Sequence, residues 1–182
     1  MGILDKLFRN QTATSNPLDN ESPGSLMLMG IITSSSIIFD DKWTDYKKRR
    51  GETFELIILS TLLILRKFKS VKPQYYHEFE ADIFNQIHKF ARQEQIVQML
   101  PIDFADFINS RFALYDNEFS YDDDQDVKIP VRTVYNLFER PLVKASGICE
   151  DLFKVMEVQI KFQSYYERLL TNFNLMISKK YS

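Results

Sequence analysis

Apolar positions recur in steps of three and four along most of the chain, and the pattern is most regular near its end. From about Glu150 to Lys180, Leu152, Val155, Phe162, Tyr166, Leu169, Phe173 and Met176 keep this spacing, with Gln159 the one polar member of the series. Such a repeat turns one seam of a helix toward its neighbours and predicts left-handed, shallow-angle packing over roughly four heptads. A polar residue on a seam can fix register or oligomeric state, which makes Gln159 a candidate contact with a partner helix.

Upstream, a helix is predicted from Glu52 to about Ser70. Its apolar residues, among them Phe54, Ile57, Leu59, Leu62, Ile64 and Phe68, cover most of the circumference, the mark of a central helix. Basic residues crowd its end, where cations complement the helix dipole, and Pro73 stops it. A second helix is expected over Gln74 to Leu100, with Tyr76, Phe79, Ile83, Ile87, Phe90 and Val97 on one face. Pro101 opens a third, carrying Phe104, Phe107, Ile108, Phe112, Tyr115 and Phe119, which gives way to the acidic run Asp122 to Asp126. Val131, Val134, Tyr135 and Phe138 fit a short helix between Pro130 and Pro141.

The stretch from Ser25 to Phe39 is apolar but poorly periodic, and Thr33-Ser34-Ser35-Ser36 interrupts it. Its β-branched residues allow a strand pair. A buried helix is preferred, because no other segment offers a strand partner and an isolated hairpin is marginal. Asp40 or Asp41 then caps a helix carrying Trp43 and Tyr46.

At the start, Ile3, Leu4, Leu7 and Phe8 form one apolar stripe of an amphipathic helix about two turns long. A helix that short is marginal in water and needs the domain, a partner or a membrane surface to lie on. Asn10 to Gly24, rich in Asn, Thr, Ser and Pro, reads as a linker. The expected organisation is therefore a short helix and flexible linker over 1–24 and a single helical domain over 25–182. The fold class is all-α: a bundle of five to seven helices with a long C-terminal helix.

Composition narrows the function classes. Hydrophobic residues make up 45% of the chain, enough for a substantial core, and five glycines and six prolines suit long helices. The fifteen Phe and nine Tyr fall mostly on helical stripes, so core packing accounts for them better than a surface of partner anchors. A net charge of −2 argues against nucleic-acid binding. The basic run Lys47-Lys48-Arg49-Arg50 is offset by Asp40, Asp41, Asp45, Glu52 and Glu55. One cysteine, Cys149, excludes an intramolecular disulfide or a multi-cysteine zinc site and suits a reducing compartment. The N-terminus lacks the features of a secretion signal, and Lys6 stands where a myristoylation motif has Ser or Thr. No apolar stretch reaches membrane-spanning length. A soluble, cytoplasmic, bacterial protein is expected.

Candidate chemistry is sparse. Read as a calcium loop from Asp122, the acidic run places Val127 and Thr133 where Gly and Glu are needed, so it reads as a solvated loop. His77 and His88 share a helix face but stand about 16 Å apart, and no Glu-x-x-His unit occurs. Cys149 precedes the last helix without a local Cys-His signature. Arg111, Tyr115 and Glu118 lie on one side of their helix at i, i+4 and i+7 and are candidates for a polar seam lining a pocket. No cofactor or metal is implied. The expected function is a non-catalytic protein–protein interaction or regulatory module with a protein partner, through Ile3, Leu4, Leu7 and Phe8 or through Gln159. Self-association and peripheral membrane contact through the N-terminus fit the same reading. A small enzyme with an interhelical pocket is the alternative, and nucleic-acid binding ranks third.

Overall fold

The computed structural model describes residues 20–39, 50–118, 120–121, 127–128 and 152–181, with side chains over 20–39, 50–116 and 160–181. The stripe Ile3, Leu4, Leu7 and Phe8, the Trp43 helix, the acidic run, the Pro130 helix and Cys149 lie outside the described residues, as do the side chains of Glu118 and Gln159. The protein forms the all-α bundle expected from its periodicity. Among the described residues there are five α-helices: α1 (Pro23–Phe39), α2 (Arg50–Val71), α3 (Tyr76–Gln93), α4 (Phe104–Glu118) and the long α5 (Leu152–Lys180). A two-residue antiparallel ladder, β1 (Ser120–Tyr121) with β2 (Val127–Lys128), pairs Ser120 with Lys128 and Tyr121 with Val127.

Helix α2 is the centre. Every residue from Thr53 to Leu65 is buried, as its all-round apolar pattern requires. Contacts climb together along α2 and α5: Ser60 meets Tyr165, Phe68 meets Phe173 and Lys72 meets Tyr181, so the two run the same way. Against α3 the order reverses, with Phe68 stacked on Phe79 and Arg50 reaching Glu94. Among the described side chains, the buried seam of α5 is Phe162, Tyr165, Leu169, Phe173 and Met176. It therefore passes through Tyr165, where spacing alone favoured Tyr166; Tyr165 is fully buried because its hydroxyl finds Ser60 Oγ at 2.6 Å.

The ambiguous stretch after Ser25 is helical. Its hydroxyl run is accommodated because Thr33 donates to the carbonyl of Met29 at 2.8 Å, Ser35 to that of Ile32 at 2.6 Å and Ser36 to that of Thr33 at 3.2 Å. Ser and Thr can thus be buried in a helix without unpaired hydroxyls. The helix starts at Pro23, inside the stretch that composition assigned to a linker. Pro23 needs no N–H partner, Gly24 donates to Asp82 Oδ2 at 2.6 Å, Ser25 N–H reaches Ser22 Oγ at 3.2 Å, and Leu26 N–H bonds the Ser22 carbonyl at 3.0 Å. Pro23, Gly24 and Ser25 are thereby accounted for, and Leu26 makes the first intrahelical bond. Asp82 comes from α3, so the helix dipole of α1 is met by a carboxylate from its neighbour.

The helix expected to run to Leu100 ends earlier, at Gln93. Gln95 takes the left-handed conformation, with φ of 61°, and closes a Schellman motif: its N–H bonds the Arg92 carbonyl and that of Ile96 bonds the Ala91 carbonyl. Ile96 is then buried. Burial of Ile96 and the two main-chain bonds offset the cost of a non-glycine residue at that position, which is why no glycine marks the break.

Candidate functional site

Two arrangements merit a functional reading: a charged cluster inside the core and an apolar groove on the surface. The cluster begins from the sequence pair Arg111 and Tyr115, one turn apart on α4. Both are buried, and they meet on one acid, Glu55 of α2. Arg111 Nε donates to Glu55 Oε1 at 2.8 Å and Oε2 at 3.1 Å, its Nη2 also donates to Oε1, and the Tyr115 hydroxyl donates to Oε2 at 2.5 Å. Glu55 is 1% exposed and Arg111 8%. The guanidinium lies 5.7 Å from the centre of the Phe107 ring and 6.0 Å from that of Tyr115, one turn to either side. Phe54, beside Glu55, approaches Phe104 and Phe107, each at 6.3 Å between ring centres. A carboxylate so buried is tolerable only with charge-assisted partners, and it has them on both oxygens.

Sequence reasoning found Arg111 and Tyr115 but missed Glu55, having counted it with the charges around the basic run. A signal was available: Glu55 stands between Phe54 and Leu56 within a helix apolar all round, where a lone acid calls for a buried cation.

The groove lies between α1 and α5 and encloses about 250 Å³, lined by Leu26, Met29 and Thr33 on one side and Leu175, Met176 and Lys179 on the other. Its floor is the helix crossing at Gly30. A Cβ there would stand 3.1 Å from Asn172 Nδ2, so only glycine admits the approach without displacing Asn172. Asn172 Nδ2 donates to Ser34 Oγ at 3.2 Å and to the Gly30 carbonyl at 3.4 Å, which fixes the walls. Leu175 is 56% exposed on the rim. A glycine inside an otherwise apolar helix is the sequence sign of such a close approach.

Other titratable groups sit at the edges. His77 is exposed and 3.5 Å from Glu80, and His88 is exposed against the ring of Phe104 at 4.6 Å. Partial burial, with help from the hydrogen bond and charge of Glu80, pushes the Tyr76 phenol up to about 12. Tyr181 is likewise raised to about 12 by desolvation and by the charges of Glu78 and Asp82. Burial raises Tyr165 as well, against the hydrogen bond with Ser60. Among the described residues no group of three or more His, Cys, Asp or Glu side chains could hold a metal ion, and no helix is long and apolar enough to cross a membrane. No family model, curated protein or solved structure matches the chain.

Proposed function

We propose that the protein is a non-catalytic helical interaction module that receives an apolar segment of a protein partner in the groove between α1 and α5. The observation that carries this reading is a groove with mostly apolar lining, with Leu175 exposed on its rim and its two walls joined by hydrogen bonds of Asn172. Preformed apolar grooves suit the side chains of an amphipathic helix. At about 250 Å³ this one falls below the range of roughly 300–1,000 Å³ usual for small-molecule sites. The enzymatic alternative has less support, because Arg111 and Tyr115 direct donors to Glu55 inside the core rather than into an open pocket. A reducing, cytoplasmic setting accompanies the proposal, supported by the single cysteine.

The test is affinity purification of the tagged full-length chain from its own cells, alongside Leu175→Asp. Leu175 is exposed, so this variant keeps its melting temperature while placing a charge on the groove. Recovery of a partner by the parent chain and its loss with Leu175→Asp is expected. Equal recovery by both chains overturns the proposal.

A further inference from the structure

Resting on the reading of this groove as a docking surface, we infer that its resident in the free protein is the chain's own N-terminal apolar stripe, Ile3, Leu4, Leu7 and Phe8. Any partner then has to displace that stripe.

Reach and length support this occupant. The groove occupies the first half of α1, so its wall from Leu26 to Thr33 starts about 5 Å and ends about 15 Å along the helix from Pro23. Eleven residues, Arg9 to Asp19, join Phe8 to the described chain at Asn20. A flexible chain of that length spans roughly 17–20 Å on average and at most about 36–40 Å. The whole groove is therefore within reach, and a tether this short holds the stripe at an effective concentration on the order of millimolar.

The dimensions agree as well. Helical residues Ile3 to Phe8 span about 8 Å along the helix axis, and the α1 wall spans about 10 Å. A helix too short to persist in water gains its stability from the surface that covers its apolar face. A small groove with mostly apolar walls suits such a segment.

The experiment uses the full chain with Leu7 replaced by a benzophenone-bearing amino acid and irradiated in dilute solution without any partner. The expected result is intramolecular crosslinking to peptides containing Met29, Leu175 or Met176, at a yield independent of protein concentration. Adding Leu175→Asp or Leu4→Asp lowers the yield by about tenfold, since each forfeits a buried apolar side chain and buries a charge. Crosslinks elsewhere, or yields unchanged by either substitution, overturn the inference. So does a dimer whose yield grows with concentration, which would assign the groove to a second copy. Because no partner takes part, this test can fail while the partner experiment with Leu175→Asp succeeds, and the reverse.

Discussion

Replacing Arg111 by Met removes the cation from the Glu55 cluster while keeping much of the stem that packs between Phe107 and Tyr115. Glu55 then retains the Tyr115 hydroxyl but loses every bond it receives from the guanidinium, at 1% exposure. Taking one partner from a buried ion pair costs about 3–5 kcal/mol. Against a typical total stability of about 5–15 kcal/mol, that is a large share. For a chain of this size it corresponds to a fall in Tm of about 6–20 °C. Urea unfolding followed by far-ultraviolet circular dichroism measures it as a lowered midpoint at unchanged slope. The double variant Glu55→Leu, Arg111→Met should recover most of the loss, because a buried pair replaced by apolar groups is close to neutral. A single-variant loss below about 1 kcal/mol, the size of an exposed pair, would refute the reasoning. Additive losses in the double variant would refute it equally.

Gln95→Gly should stabilise the protein by about 1 kcal/mol, since φ is 61° and glycine carries no penalty there; urea midpoints decide it. Gly24→Ala should destabilise by about 1–3 kcal/mol, because the new Cβ would lie 2.7 Å from the backbone nitrogen of Ile83. Gly30→Ala should cost less, its nearest neighbour being the side chain of Asn172 at 3.1 Å; equal losses at the two glycines would contradict this ordering. The raised phenols of Tyr76 and Tyr181 make a pH prediction. Their unfolded value is about 10 and their folded value about 12, so the stability they contribute is fully present below pH 10 and is lost as the pH rises toward 12. In the Tyr76→Phe, Tyr181→Phe variant the alkaline decline should be shallower than in the parent chain, and parallel declines would exclude both tyrosines.

The sequence disclosed the helices wherever burial is one-sided. Tyr76, Phe79, Ile83, Ile87 and Phe90 follow from spacing because α3 turns one face to the core and the other to solvent. It was less informative where burial is all-round or the decisive partner is distant. Ser25 to Phe39 shows no clear period because α1 meets α2, α3 and α5 on different sides. Local propensity left its hydroxyls ambiguous until they closed on their own helix carbonyls. The end of α3 at Gln93 was hidden because Gln95 does what a glycine usually signals. Of the candidate sites, Arg111 and Tyr115 were legible as a pair on one face. Their acid, 56 positions before Arg111, was not, since no local rule couples residues that far apart. The groove depends on Gly30 meeting Asn172 across 142 positions, and only the glycine leaves a mark in the sequence.

The Glu55 cluster also answers a problem that the central helix creates for itself. A helix buried on all sides gains about the same apolar burial whichever way it is rotated, so hydrophobicity alone does not choose its orientation. Two contacts between buried polar side chains on α2 do choose: Glu55 with Arg111 and Tyr115 toward α4, and Ser60 with Tyr165 toward α5. Rotating α2 away from this arrangement would strand a buried carboxylate on one side and a buried hydroxyl on the other. Both cost more than the apolar contacts exchanged in the rotation. On this argument the cluster confers uniqueness more than stability, and the double variant separates the two. Glu55→Leu, Arg111→Met should keep its urea midpoint near that of the parent while its core amide and methyl resonances broaden and it binds a hydrophobic dye. If the variant stays as sharply ordered as the parent, then packing shape alone orients α2, and the ion cluster has no part in specifying the fold.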